Sequence, residues 1–154
     1  MSALSEKIYG AGHANLDRDH EVLLQLVSEL KSLPTDSPRL ERIGAELLAY
    51  MDAHFEDEER LMDRYGYPAA ADHKAAHRQA VHDAQLLVRL LAVPGFQIPT
   101  LAQPLQDWIE THMCGADVRL AEFLNQHNVA PCVSDIGVFG EAGTPIPETP
   151  DGNS

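Results

Sequence analysis

The chain has 154 residues, 44% hydrophobic and 23% charged, enough for one compact core without disulfide staples. Its 24 acidic against 11 basic residues give a net charge of -13, so nucleic acid and anionic lipid surfaces are repelled rather than attracted. No apolar run approaches the roughly 18 residues of a membrane span, and two cysteines, Cys114 and Cys132, are too few for a disulfide scaffold or a Cys-based zinc site.

The opening stretch, MSALSEKIYGAGHANLDRDH, lacks the basic region and apolar core of a secretory signal, so the cytoplasm is the expected compartment. Residues 1–15 read as an N-terminal arm. Leu16, Leu23, Val27 and Leu30 then recur at steps of seven, four and three, the inward stripe of an amphipathic helix that ends near Pro34. His20 falls inside that stripe. The second helix carries Leu40, Ile43, Leu47, Met51, Leu61 and Tyr65 before Gly66 and Pro68 break it, and His54 and Glu58 fill its missing inward positions.

A third helix is predicted from about Ala69 through Ala80, Ala84, Leu87 and Leu91 to the break at Pro94 and Gly95, with His73 and His77 on its inward face. The fourth carries Leu101, Leu105, Trp108, Leu120 and Leu124, with His112 in the row of Trp108. Pro104 removes a backbone hydrogen bond there, so this helix is expected to start late or to kink. No strand pattern competes, and four helices with short connections predict an all-α, antiparallel up-and-down four-helix bundle over residues 16–127. Residues 128–154 are rich in Pro, Gly and acid and read as a non-helical tail, packing through Ile136, Val138 and Phe139.

Positions four apart on an α-helix share a face, so His54 with Glu58 and His73 with His77 each form a two-toothed claw. One such pair is usually a solvated surface feature. Here five histidines and a glutamate occupy the inward rows of four helices, where ionisable groups persist only when paired or bound to metal. Imidazole with carboxylate suits iron, zinc or copper rather than calcium or magnesium, and six ligands exceed the needs of one tetrahedral zinc. Two metals bridged by a carboxylate would use them all, and Asp117 offers a second bridge. It lies five residues after His112, about 140° beyond a full turn of α-helix. A π-type bulge would bring the two together, and Gly115 between them eases one.

At this point the chain resembles the hemerythrin family, bacteriohemerythrins in particular, from about Leu16 to Gln126. The resemblance is carried by a first-helix His, then HFEDEE at 54–59, YGYP and HKAAH within 65–77, and WIETHMCGAD at 108–117, which fit one His followed by HxxxE, HxxxH and HxxxxD. It implies seven metal ligands: His20, His54, Glu58, His73, His77, His112 and Asp117. It further implies two iron ions bridged by Glu58, Asp117 and an oxo or hydroxo group, with His73, His77 and His112 completing one iron. His20 and His54 would leave the other iron an open position for dioxygen. By the same resemblance Phe55, Trp108, Ile109 and Met113 line the oxygen pocket, each position being equally compatible with ordinary core packing. The AGHANLDRDH stretch lacks the tryptophan often found there in bacterial relatives.

The ligand set gives a separate reason to expect binding rather than catalysis. Ferritin-like di-iron sites carry four carboxylates and two histidines, whose negative charge favours higher iron oxidation states. Five neutral imidazoles with two carboxylates favour them less. The expected function is therefore reversible dioxygen binding for carriage, storage or delivery, not an enzyme activity. The alternatives are an oxygen or redox sensor, or a di-iron enzyme that handles peroxide or nitric oxide. The sequence identifies no protein partner and no oligomeric state. His13, His82 and His127 match no ligand position and read as surface residues, and Cys114 reads as a buried reduced thiol.

Overall fold

A computed structural model describes residues 14–127, with side chains from Arg18 onward. The expected tail with Cys132, Ile136, Val138 and Phe139 lies outside the described residues, as do His13 and the side chain of Leu16. Helix α1 spans Ala14–Ser32, α2 Leu40–Tyr65, α3 Ala70–Leu90 and α4 Pro99–His112. A π turn, Met113–Asp117, joins α4 to α5, Val118–Gln126, so that α4 and α5 together make the fourth rod of the bundle. In the bundle α1 packs on α2 and α4, and α3 packs on the same two, so the four rods close into a ring. No described helix is long and apolar enough to cross a membrane.

The periodic stripes become the core. Leu23, Val27 and Leu30 from α1, Ile43, Leu47 and Met51 from α2, Ala80, Ala84 and Leu87 from α3, and Ala102, Leu105 and Ile109 from α4 form one buried cluster. Small residues set how close the rods come: a Cβ on Gly44 would stand 3.0 Å from Leu91 Cδ1 and 3.2 Å from Val88 Cγ2. Gly66 ends α2 with φ of 67°, a left-handed backbone that glycine adopts without penalty. The Tyr67 N–H then donates to the Met62 carbonyl at 2.9 Å and turns the chain towards α3.

One alternative expected for the fourth rod, a late start, is corrected. Helix α4 starts at Pro99 and carries Pro104 inside it rather than starting after it. Pro104 and Thr100 are both exposed, so the carbonyl that the proline leaves unpaired can be met by water. Beyond the π turn, Leu120 and Leu124 join Leu61 and Met62 of α2 in a smaller apolar cluster, separate from the main one. The main core and this one stand on either side of the polar layer described next.

Candidate metal centre

The seven predicted ligands meet in one buried layer. His20 comes from α1, His54 and Glu58 from α2, His73 and His77 from α3, His112 from the end of α4, and Asp117 from the end of the π turn. None is more than 8% exposed, and Glu58 is fully buried. On α2 and α3 the four-residue spacing suffices to stack each pair. Between His112 and Asp117 the π turn supplies the extra residue, and Leu120 and Leu124 behind it stay inward as well. Gly115 has no left-handed φ, and a Cβ there would only touch Arg119 at 3.7 Å, so the turn does not require glycine.

The ligand atoms fall into two groups, each with all its atoms within 4.8 Å of one another. One holds His73, His77, His112, Glu58 and Asp117; the other holds His20, His54 and the same two carboxylates. Each carboxylate divides its oxygens between the groups. Glu58 Oε2 lies 3.0 Å from His77 Nε2 and 3.3 Å from His73 Nε2, while Oε1 lies 3.2 Å from His54 Nε2. Asp117 Oδ1 lies 3.0 Å from His112 Nε2 and 3.1 Å from His73 Nε2, while Oδ2 lies 2.8 Å from His20 Nε2.

The donor set fits cations. His112 Nε2 lies 2.9 Å from His73 Nε2 and 3.2 Å from His77 Nε2, closer than lone pairs tolerate without a proton or a cation between them. Ligands about 2.1 Å from an ion at right angles to each other are about 3 Å apart, which is the spacing seen. Both oxygens of Glu58, Asp117 Oδ1 and the Nε2 atoms of His20 and His54 are buried and near one another, yet none is aligned in a hydrogen bond. Buried polar atoms nearly always have such a bond.

Outside these seven residues, two carboxylates that sequence reasoning missed approach the outer ring nitrogens. Asp19 Oδ2 is 3.1 Å from His54 Nδ1, and Glu59 Oε1 is 3.1 Å from His77 Nδ1. The available signal was adjacency, since each sits one residue from a ligand, in RDH and in DEE. Partners of this kind orient metal-bound imidazoles and raise their basicity.

The four expected pocket residues divide. Phe55 stacks on His77 with ring centroids 3.9 Å apart and planes 8° from parallel, and Trp108 stacks on His112 at 4.4 Å and 17°. These aromatics thus cover rings of the three-histidine group, although Phe55 also comes within 5.7 Å of the His54 ring. Ile109 and Met113 are buried in the main core. Cys114 corrects another expectation: it lies on the outer face, exposed rather than buried. His82 and His127 are exposed as expected, with His127 Nδ1 2.8 Å from the Phe123 carbonyl at the helix end.

Within the layer the carboxylates and imidazoles shift one another's proton affinity. Burial opposes charge on His54, but Glu58, Asp19 and Asp117 outweigh it and raise its pKa to about 10. His73, also opposed by burial, is raised to about 9 by Asp117 and Glu58. Burial likewise opposes charge on Glu58, yet His54, His73 and His77 hold its carboxyl well below the usual range. Asp117 is lowered by His112, His20 and His73 against its own burial and the charge of Glu58.

Several known proteins resemble the chain in sequence and fold. The chain is 27% identical over 115 residues to a bacteriohemerythrin of Stenotrophomonas maltophilia, covering 73% of this chain and 74% of the relative. To a bacteriohemerythrin of Campylobacter jejuni it is 24% identical over 126 residues, 79% of this chain and 95% of the relative. A crystal structure of wild-type hemerythrin superposes with a TM-score of 0.68 at 22% identity, covering 80% of this chain and 97% of that one, which establishes the shared fold. The family model described as the hemerythrin HHE cation binding domain matches residues 11–124, and the chain belongs to the hemerythrin family.

Proposed function

We propose that the chain is a non-haem di-iron protein that binds dioxygen reversibly, with His20, His54, Glu58, His73, His77, His112 and Asp117 as the iron ligands. The observation that carries this reading is the division of the Glu58 and Asp117 oxygens between a three-histidine and a two-histidine group. Two carboxylates shared in that way suit a bridged pair of ions. The unequal histidine count would leave an ion held by His20 and His54 with fewer protein ligands than its neighbour, and so with room for a small exogenous one. Carboxylate-poor composition supports binding over oxidative catalysis, because five neutral imidazoles stabilise high-valent iron less than a four-carboxylate set does.

When bound, a di-iron pair with an oxo or hydroxo bridge supplies the affinity for dioxygen. The work of the chain's own residues is to hold and to dry that site. Asp19 would hold the outer nitrogen of His54, so that its Nε2 lone pair faces inward. Phe55 and Trp108 pack on ligand rings, and Ile109 and Met113 add buried apolar bulk. Excluding water would strengthen every electrostatic contact inside the layer.

The test is metal analysis with optical spectroscopy of the iron-reconstituted protein. Two irons per chain, and a visible absorption that develops in the reduced protein on exposure to air and disappears under argon, are expected. Stoichiometric zinc, or one metal per chain after iron loading, would overturn the di-iron reading. Direct passage to the ferric state with repeated turnover of peroxide or nitric oxide would replace a carrier with an enzyme.

A further inference from the structure

Glu59 follows Glu58 by one position, so its side chain leaves α2 about 100° around the helix from the bridging carboxylate. That rotation carries it out of the ligand layer and against the back of His77. Its Oε1 is 3.1 Å from Nδ1, while Nε2 on the far side of the same ring is 3.0 Å from Glu58 Oε2. Phe55 lies flat on one face of the ring. The imidazole is thus constrained within its plane by two successive glutamates of α2 and across its plane by Phe55.

The two carboxylates behind the ligand layer are not equivalent. Asp19, behind His54, is buried, whereas the Glu59 side chain is 33% exposed. With Asp52, Phe55, Arg78 and His82 it lines a groove of about 330 Å³ that reaches His77 from the surface between α2 and α3. Solvent therefore reaches the outer support of the three-histidine group and not that of His54.

We infer that Glu59 is a positioning residue for His77, accepting the Nδ1–H so that the Nε2 lone pair faces the metal layer and lending the ring negative charge. This rests on the metal reading proposed above. Removing the carboxylate frees the tautomer and the ring angle and weakens electron donation, so the ion of the three-histidine group is held less tightly. Partners of this kind change metal affinity by roughly 10- to 100-fold.

The experiment uses the full chain loaded with iron(II), and in parallel with cobalt(II), as wild type, Glu59→Gln, Glu59→Ala and Glu56→Gln. Glu56 lies on the same helix, is 74% exposed and pairs with Arg60, so its replacement removes the same charge without touching His77. Three quantities are read: the rate of iron release to a chromophoric chelator, the paramagnetically shifted imidazole N–H resonances of the cobalt form, and the midpoint potential of the iron form. Glu59→Ala should release one metal about 10- to 100-fold faster, with one imidazole N–H lost to exchange. Glu59→Gln, nearly isosteric and able to accept the same hydrogen bond, should keep both metals and the N–H resonance while its potential rises. Glu56→Gln should match wild type throughout. Wild type with two metals but Glu59 variants unchanged in release, resonance and potential would overturn this inference alone, as would Glu56→Gln reproducing their effects. A wild-type chain that takes up neither metal would overturn the metal reading and this inference with it.

Discussion

His112 Nε2 and Asp117 Oδ1 lie 3.0 Å apart although five residues separate them, because the π turn Met113–Asp117 absorbs one residue between them. On a regular helix the two side chains would diverge by about 140°. The same turn sets the inward register of Leu120 and Leu124, so the ligand layer and the smaller core depend on a single inserted residue.

Insertion and deletion in this turn should therefore have opposite outcomes. Deleting Ala116 leaves a four-residue spacing that a regular α-helix places on one face, so helicity and the inward Leu120 and Leu124 should persist. Inserting an alanine at the same point should turn Asp117 about 100° away, abolish metal uptake and lower the melting temperature. Circular dichroism and metal analysis of both variants decide the matter; equal behaviour would mean that the turn does not set the register.

Glu58→Ala should reduce metal content from two ions to fewer than one per chain. Its oxygens face both groups, so one substitution removes a ligand from each site at once. Losing His54 alone should be milder, because only the two-histidine group contains it. Retention of two metals by the Glu58 variant would exclude it as a bridge.

Metal uptake should release protons. His54 and His73, with pKa values raised to about 10 and about 9, are protonated at pH 7 in the metal-free chain and must be neutral to bind metal. Apparent affinity should thus rise from pH 7 to about 9. The metal-free chain should behave in the opposite way. The stabilisation from a raised His54 pKa is complete below the unfolded value of 6.5 and is lost as pH rises through about 10. Glu58 and Asp117 are lowered, so their contribution is present above the ordinary carboxyl range and fades as acid protonates them. Calorimetric titration in buffers of different ionisation enthalpy measures the protons released, and denaturation of the metal-free chain against pH measures the stability trend.

Ile109→Ala should cost about 2–5 kcal/mol of stability as a core truncation, since Ile109 is 2% exposed within the main cluster. If it also helps to dry the oxygen site, the variant should convert irreversibly to the ferric form faster than wild type. Ile109→Val provides the control: it should cost only about 0.5–1.5 kcal/mol and leave a smaller gap. Oxidation rates that follow neither cavity size nor water entry would remove Ile109 from the pocket.

Periodicity and spacing were enough to read the bundle and the identities of the converging side chains. Period 3.6 fixes which residues turn inward, and four-residue spacing fixes that His54 with Glu58, and His73 with His77, act as pairs. Even the π turn was legible, because inward placement of both His112 and Asp117 is incompatible with a regular helix. How separate helices meet is legible only in three dimensions. That Glu58 Oε1 faces His54 while Oε2 faces His77, and that Phe55 and Trp108 stack on ligand rings, depend on the rotation of one rod against another, which no local periodicity encodes. The same holds for Asp19 and Glu59, whose partners lie 35 and 18 residues away. Cys114 is a different case: two residues on a helix turn it about 200° from His112, so its exposed position follows from ordinary helical geometry and not from tertiary packing.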